Sequence, residues 1–136
     1  MEELKLQASD ATLQDVLGTI ENHLLEQGCD RMLITQILMA AEEIYVNIAH
    51  YAYGGESGDA VVQMEIMQDT KNCRITFRDH GVAYNPLEKE DPDVTLSAEE
   101  RPIGGLGIYL VKQAMDRVEY EYKDDKNILT LVIALS

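Results

Sequence analysis

Apolar residues fall on two periods along this chain, and the switches between those periods mark out its elements. Leu4 and Leu6 alternate with Glu3, Lys5 and Gln7, which is the two-residue period of a strand with one buried face. Ser9 or Asp10 then offers an N-cap, and Leu13, Val16, Leu17, Ile20 and Leu24 follow at helical spacing until Gly28 ends the helix. A second helix is expected from about residue 30 to 53, with Leu33, Ile34, Ile37, Leu38, Ala41, Ile44, Tyr45 and Ile48 on a broad apolar face. Gly54, Gly55, Ser57 and Gly58 turn the chain. Val62, Met64 and Ile66, then Cys73, Ile75 and Phe77, alternate as two strands of a hairpin joined through residues 69–72. A polar stretch, 87–101, precedes three glycines in four positions, Gly104, Gly105 and Gly107. Behind them Ile108, Leu110, Val111, Ala114 and Met115 form a third helical pattern. Val118, Tyr120 and Tyr122 alternate, residues 124–127 turn, and residues 128–135 return as a final strand.

Helices bunched among antiparallel strands predict an α+β two-layer sandwich, with a mixed or antiparallel sheet and helices on one face. The 136 residues suit a single domain, 1–136, with no internal repeat or linker. No apolar run of spanning length is read, so no membrane helix is expected, and the first ten residues lack a signal-peptide layout. Cys29 and Cys73 have no CxxC spacing, and free thiols in a reducing cytoplasm fit them. His23, His50 and His80 show no metal-ligand spacing.

Charge narrows the chemistry. A net charge of −14 makes the chain a poor general binder of nucleic acid. Any polyanion it binds must be held by backbone donors, a metal ion or a few bases. Glycines that open a helix supply such donors at the helix's positive end, although a flexible loop has the same composition. Glu43 and Asn47 stand four apart and share a helix face, as either a solvated edge or a base and a metal ligand. Asp79 sits at a strand end with Gly81 two residues on, a common turn-forming pair that also lets a ligand approach the backbone. The polar stretch 87–101 is long for a small domain and is expected to be a lid.

Taken in order, these residues resemble the GHKL ATPase/kinase superfamily. Glu43-x-x-x-Asn47 resembles its N box, Asp79-His80-Gly81-Val82-Ala83-Tyr84-Asn85-Pro86 its first glycine box, and Gly104-Gly105-Leu106-Gly107 its second. The short anti-sigma factor serine/threonine kinases are the most similar members, with a comparable length and a closing strand like 127–130. His50 stands three residues after Asn47, where that family often has a histidine four after, and it is given no role. The resemblance implies a Bergerat-type ATP site. In it Asp79 accepts from the adenine amine, Gly81 gives the base room, Asn85 belongs to the nucleotide-binding box, and Thr130 supports adenine through water. Asn47 holds Mg²⁺, the N–H groups of Gly104, Gly105 and Gly107 bind phosphate, Glu43 is the base and Arg101 neutralises the γ-phosphate. It further implies a kinase acting on a STAS-type anti-anti-sigma partner, with a sigma factor as a second partner and a homodimer formed through the first strand. A non-catalytic ATP switch and a simple ATPase are the alternatives.

Overall fold

The computed structural model describes residues 2–54, 56–88 and 106–135. In chain order these are β1 (Glu2–Gln7), a 3-10 turn (Asp10–Thr12), α1 (Leu13–Glu26), α2 (Arg31–Asn47) and a π-helical turn (Ile48–Ala52). Then come β2 (Asp59–Met67), β3 (Asn72–Asp79), a 3-10 turn (Pro86–Glu88), α3 (Leu106–Ala114), β4 (Arg117–Lys123) and β5 (Lys126–Ala134). The five strands lie in the order β1-β2-β3-β5-β4 and every pairing is antiparallel, so the sheet is antiparallel rather than mixed. Most of the expected lid, together with Arg101, Gly104 and Gly105, lies outside the described residues.

One apolar layer joins helices and sheet. Val16, Ile20 and Leu24 of α1, Ile34, Ile37 and Tyr45 of α2, and Ile108 and Val111 of α3 bury themselves against Val62, Met64, Ile75, Phe77 and Leu131. Gly28, at φ +74, ends α1 in the left-handed conformation that a helix C-terminus favours. The Tyr45 hydroxyl reaches across to Thr12 Oγ1 at 2.6 Å, so the one polar atom of this large core side chain has a partner. Leu110, expected on the buried stripe of α3, is 44% exposed, because Ile108, Val111 and Met115 already span the contact face. Both cysteines are free, and burial pushes the Cys73 thiol up to about 12.

The helical stretch Arg31–Ala52 is long and apolar enough, by length and composition, to cross a membrane, which differs from the sequence expectation. Its apolar face here is occupied by the core, with Ile34, Ile37, Ala40, Ala41 and Tyr45 fully buried.

The two sheet faces predict different costs. Ile75→Ala removes a side chain at 1% exposure and should cost about 2–5 kcal/mol. Thr76→Ala, on the open face opposite Thr130, should cost less than about 1 kcal/mol. Urea denaturation of the two variants measures the difference.

Candidate active site

Asp79 and Asn127 are the two polar side chains that the described core buries, at 5% and 7% exposure. Strand register explains why they meet. Asp79 continues the inward stripe of Cys73, Ile75 and Phe77 on β3, and Asn127 begins the inward stripe of Leu129, Leu131 and Ile133 on β5. They are direct cross-strand partners, so both side chains stand on the helix side of the sheet. Asn127 Nδ2 donates to Asp79 Oδ1 at 2.9 Å, and the Gly81 N–H donates to the same oxygen at 2.8 Å. Among the described residues Asp79 Oδ2 accepts no hydrogen bond, and no fully buried side-chain oxygen lacks a partner. Oδ2 is therefore left to the cavity that Asp79 lines.

That cavity has a volume of about 540 Å³. Ile44, Ile48, Phe77 and Leu129 make apolar walls, Tyr51, Tyr84 and Tyr120 bring rings to it, and Asn47 adds a second carboxamide. An apolar recess with one carboxylate acceptor at its base suits a flat heterocycle bearing an amino group.

Two contacts tie the recess together. A methyl group in place of a Gly81 hydrogen would fall 2.6 Å from the Ala52 carbonyl carbon, and the next N–H, of Val82, donates to Ala52 O at 2.9 Å. The first glycine box thus lies directly on the π-helical turn. Tyr53 holds the same region: its hydroxyl accepts from the His80 N–H at 2.8 Å and donates to the Asp59 carbonyl, and burial pushes its pKa up. On the other side, a methyl group at Gly107 would overlap the Glu43 carboxylate. Glu43 therefore rests against the first turn of α3, where the positive end of the helix favours an acid.

The structure brings Asp79 and Asn47 to one cavity and sets Glu43 one helical turn before Asn47, against Gly107. At Gly81 the place of a side chain is taken by Ala52. Two expectations are corrected. Asn85 turns its side-chain oxygen back to the Leu87 N–H at 2.9 Å and caps the turn at Pro86–Glu88, away from the cavity lining. Thr130 alternates with the inward Leu129 and Leu131 and lies on the open sheet face, so it does not reach the cavity. The residue that occupies the expected position is Asn127, three residues earlier. Arg101, Gly104 and Gly105 fall outside the described residues.

The profile of the histidine kinase-like ATPase domain matches residues 6–133. The chain belongs to that family. It is a GHKL-type domain of the kinase-like, ATP-using kind. The serine/threonine-protein kinase BtrW of Bordetella bronchiseptica is 26% identical over 128 residues, covering 94% of this chain and 89% of that one. The serine-protein kinase RsbW of Bacillus cereus is 27% identical over 100 residues, covering 71% of this chain and 61% of its own, so this chain spans less than two thirds of that relative. Among solved structures, the RsbU and RsbW domains of Rv1364c from Mycobacterium tuberculosis superpose with a TM-score of 0.67 at 19% identity, over 99% of this chain and 33% of that one. That likeness carries the fold.

If Asp79 reads an amine, replacing its free acceptor with a donor is costly. Asp79→Asn should lower ATP affinity roughly ten- to a hundredfold, the worth of one charged hydrogen bond. Calorimetric titration with ATP measures it, and unchanged affinity would remove Asp79 from the site.

Proposed function

We propose that this protein is a cytoplasmic, ATP-dependent serine/threonine protein kinase acting as an anti-sigma regulatory factor. Its substrate would be a STAS-type anti-anti-sigma protein, and its sequestered partner a sigma factor. The observation that supports this reading best is an alignment of three groups. Asp79, whose Oδ2 accepts no hydrogen bond among the described residues, lines the cavity with Asn47, and Glu43 lies one turn earlier on the same helix, against the start of α3. The names of BtrW and RsbW support the same class of reaction.

In this reading the adenine enters the apolar recess and its amine donates to Asp79. The phosphates run toward the N-terminus of α3, whose backbone N–H groups favour an anion. Glu43, beside Gly107, takes the proton from the serine or threonine hydroxyl of the partner as it attacks the γ-phosphorus, while the bond from that phosphorus to the β–γ bridging oxygen breaks and ADP leaves with its electron pair. Arg101 would meet the γ-phosphate from the lid end. Among the described residues no cluster of three acidic, histidine or cysteine side chains could hold a metal by itself. The neutral oxygen of Asn47 suits a hard cation shared with phosphate oxygens. Mg²⁺ bound there would supply charge that offsets the triphosphate. A homodimer is part of the reading, because β1 pairs with β2 alone and leaves its other edge open among the described strands.

Incubation with labelled ATP and a STAS protein tests the proposal. Label on the partner's serine or threonine is the expected result. Free phosphate alone would make the protein an ATPase, and neither product would make it a nucleotide-dependent switch.

Glu43→Gln should slow phosphotransfer by about 10²–10⁴-fold, the usual worth of a general base, while ATP binding persists. Asn47→Ala should weaken Mg·ATP binding and abolish transfer together. Glu42 is exposed, about 100° around the helix from Glu43, and Glu42→Gln should behave as wild type. Initial rates and KM for each variant separate the three cases. Light scattering should give the mass of two 15.3 kDa chains.

A further inference from the structure

We propose that Asn127 and Tyr120 form a positioning pair that sets the base specificity of the cavity by fixing how Asp79 meets a purine. The proposal rests on reading this cavity as the adenine site.

A carboxamide has two N–H donors and two acceptor lone pairs. Asn127 uses all four. Its Nδ2 donates to Asp79 Oδ1 and to the Val82 carbonyl, each at 2.9 Å. Its Oδ1 accepts from the Tyr84 N–H at 3.1 Å and from the Tyr120 hydroxyl. This pattern allows a single orientation. Turned over, the amide would point its oxygen at Asp79 and Val82, and its N–H groups at the Tyr84 N–H and the Tyr120 hydroxyl. Three groups of the 79–84 segment are thus anchored to one side chain of β5.

The consequence falls on Asp79. Asn127 and the Gly81 N–H both engage Oδ1, so the carboxylate cannot swing, and Oδ2 is presented as an acceptor. A purine with an amino group at carbon 6 donates to that oxygen. A purine with a carbonyl there brings an oxygen against a carboxylate and is repelled. Tyr120 acts through Asn127. It comes from the edge strand β4, and burial pushes its hydroxyl pKa up, which keeps it a donor. It lines the cavity beside Asn127, so its hydroxyl can be removed without creating an unfilled core position.

ITP and ATP differ at the group in question, and they provide the test. Affinities of both nucleotides, at one Mg²⁺ concentration, are measured by calorimetry for the wild type, Tyr120→Phe and Asn127→Leu. Thermal unfolding without nucleotide accompanies each. The wild type should prefer ATP by roughly tenfold or more, as one charged hydrogen bond dictates. In Tyr120→Phe and Asn127→Leu that preference should shrink by about tenfold, through weaker ATP binding while ITP binding holds or improves. Equal weakening of both nucleotides would overturn the proposal, since a merely structural role lowers both alike. So would an unchanged preference in Tyr120→Phe. A wild type that does not distinguish ATP from ITP would instead remove the adenine reading itself, and this proposal with it. If Asn127→Leu does not fold, Tyr120→Phe alone decides.

Discussion

A carboxylate buried in an apolar layer is the constraint on which the rest of this structure turns. Desolvating an unpaired carboxylate costs several kcal/mol or more, so Asp79 is tolerable only where donors meet it. Two do: the Gly81 N–H and Asn127 Nδ2, both on Oδ1. A hydrogen bond to a charged group contributes about 1.5–3 kcal/mol, so the pair offsets a large share of that cost. The arrangement exists only in one register. A one-residue slip of β5 against β3 would put Asn127 on the open face and leave Asp79 facing apolar neighbours. The two-residue turn at Asp124 and Asp125, with φ of 54° and 61°, sets the register of β4 against the other side of β5 and so brings Tyr120 to Asn127. Paired positive φ values give the hairpin geometry whose twist matches the strands.

The second dependence runs through α2. Its first turns are core helix, filled by Ile34, Ile37 and Ala41, and its last turn carries Glu43 and Asn47. The helix then widens into a π-helical turn, Ile48–Ala52, a feature that often marks functional sites. The widening lets Ala52 present its carbonyl to the Val82 N–H while Tyr51 reaches the cavity edge. His50, in the same turn, meets Asp10 Oδ1 at 2.8 Å and ties the turn to the segment after β1. The first glycine box is therefore held by elements that the sheet and α2 had already fixed: Ala52 grips its middle at Gly81 and Val82, and Asn127 spans it from Asp79 to Tyr84.

Much of this was legible in the sequence, because period and punctuation carry it. The alternation of Cys73, Ile75 and Phe77 extends one step to Asp79, and the stripe of α1 needed only Leu13 to Leu24. Thr130 entered through the family resemblance, which assigns a role by motif and not by strand parity. The turn read at 124–127 leaves Asn127 outside the strand, so the parity it shares with Leu129 and Leu131 gives no warning there. Parity was the available signal, since Thr130 is an odd number of residues from Asn127 and cannot share its face. Gly81 is ambiguous for a different reason. A glycine beside an acid reports that something approaches the backbone, and sequence alone does not say whether that is a ligand or Ala52. Asn85 was misread because a short carboxamide before a turn serves the local backbone first.

Charge ties the two ends of the site together. The chain carries 25 acids against 11 bases, and Glu43 already rests at the positive end of α3. A carboxylate and a phosphate both gain from a helix N-terminus, yet they repel one another at close range. In the proposed reaction they must coexist there, since the base has to stand beside the phosphoryl group that the partner's hydroxyl attacks. A cation between them resolves the conflict, and Asn47 is one turn away from Glu43 with an oxygen that adds no further negative charge. An aspartate at that position would bind a cation more strongly, but it would also add repulsion to a site with a surplus of acids. The neutral amide is therefore the choice consistent with a base and a polyanion sharing one helix end.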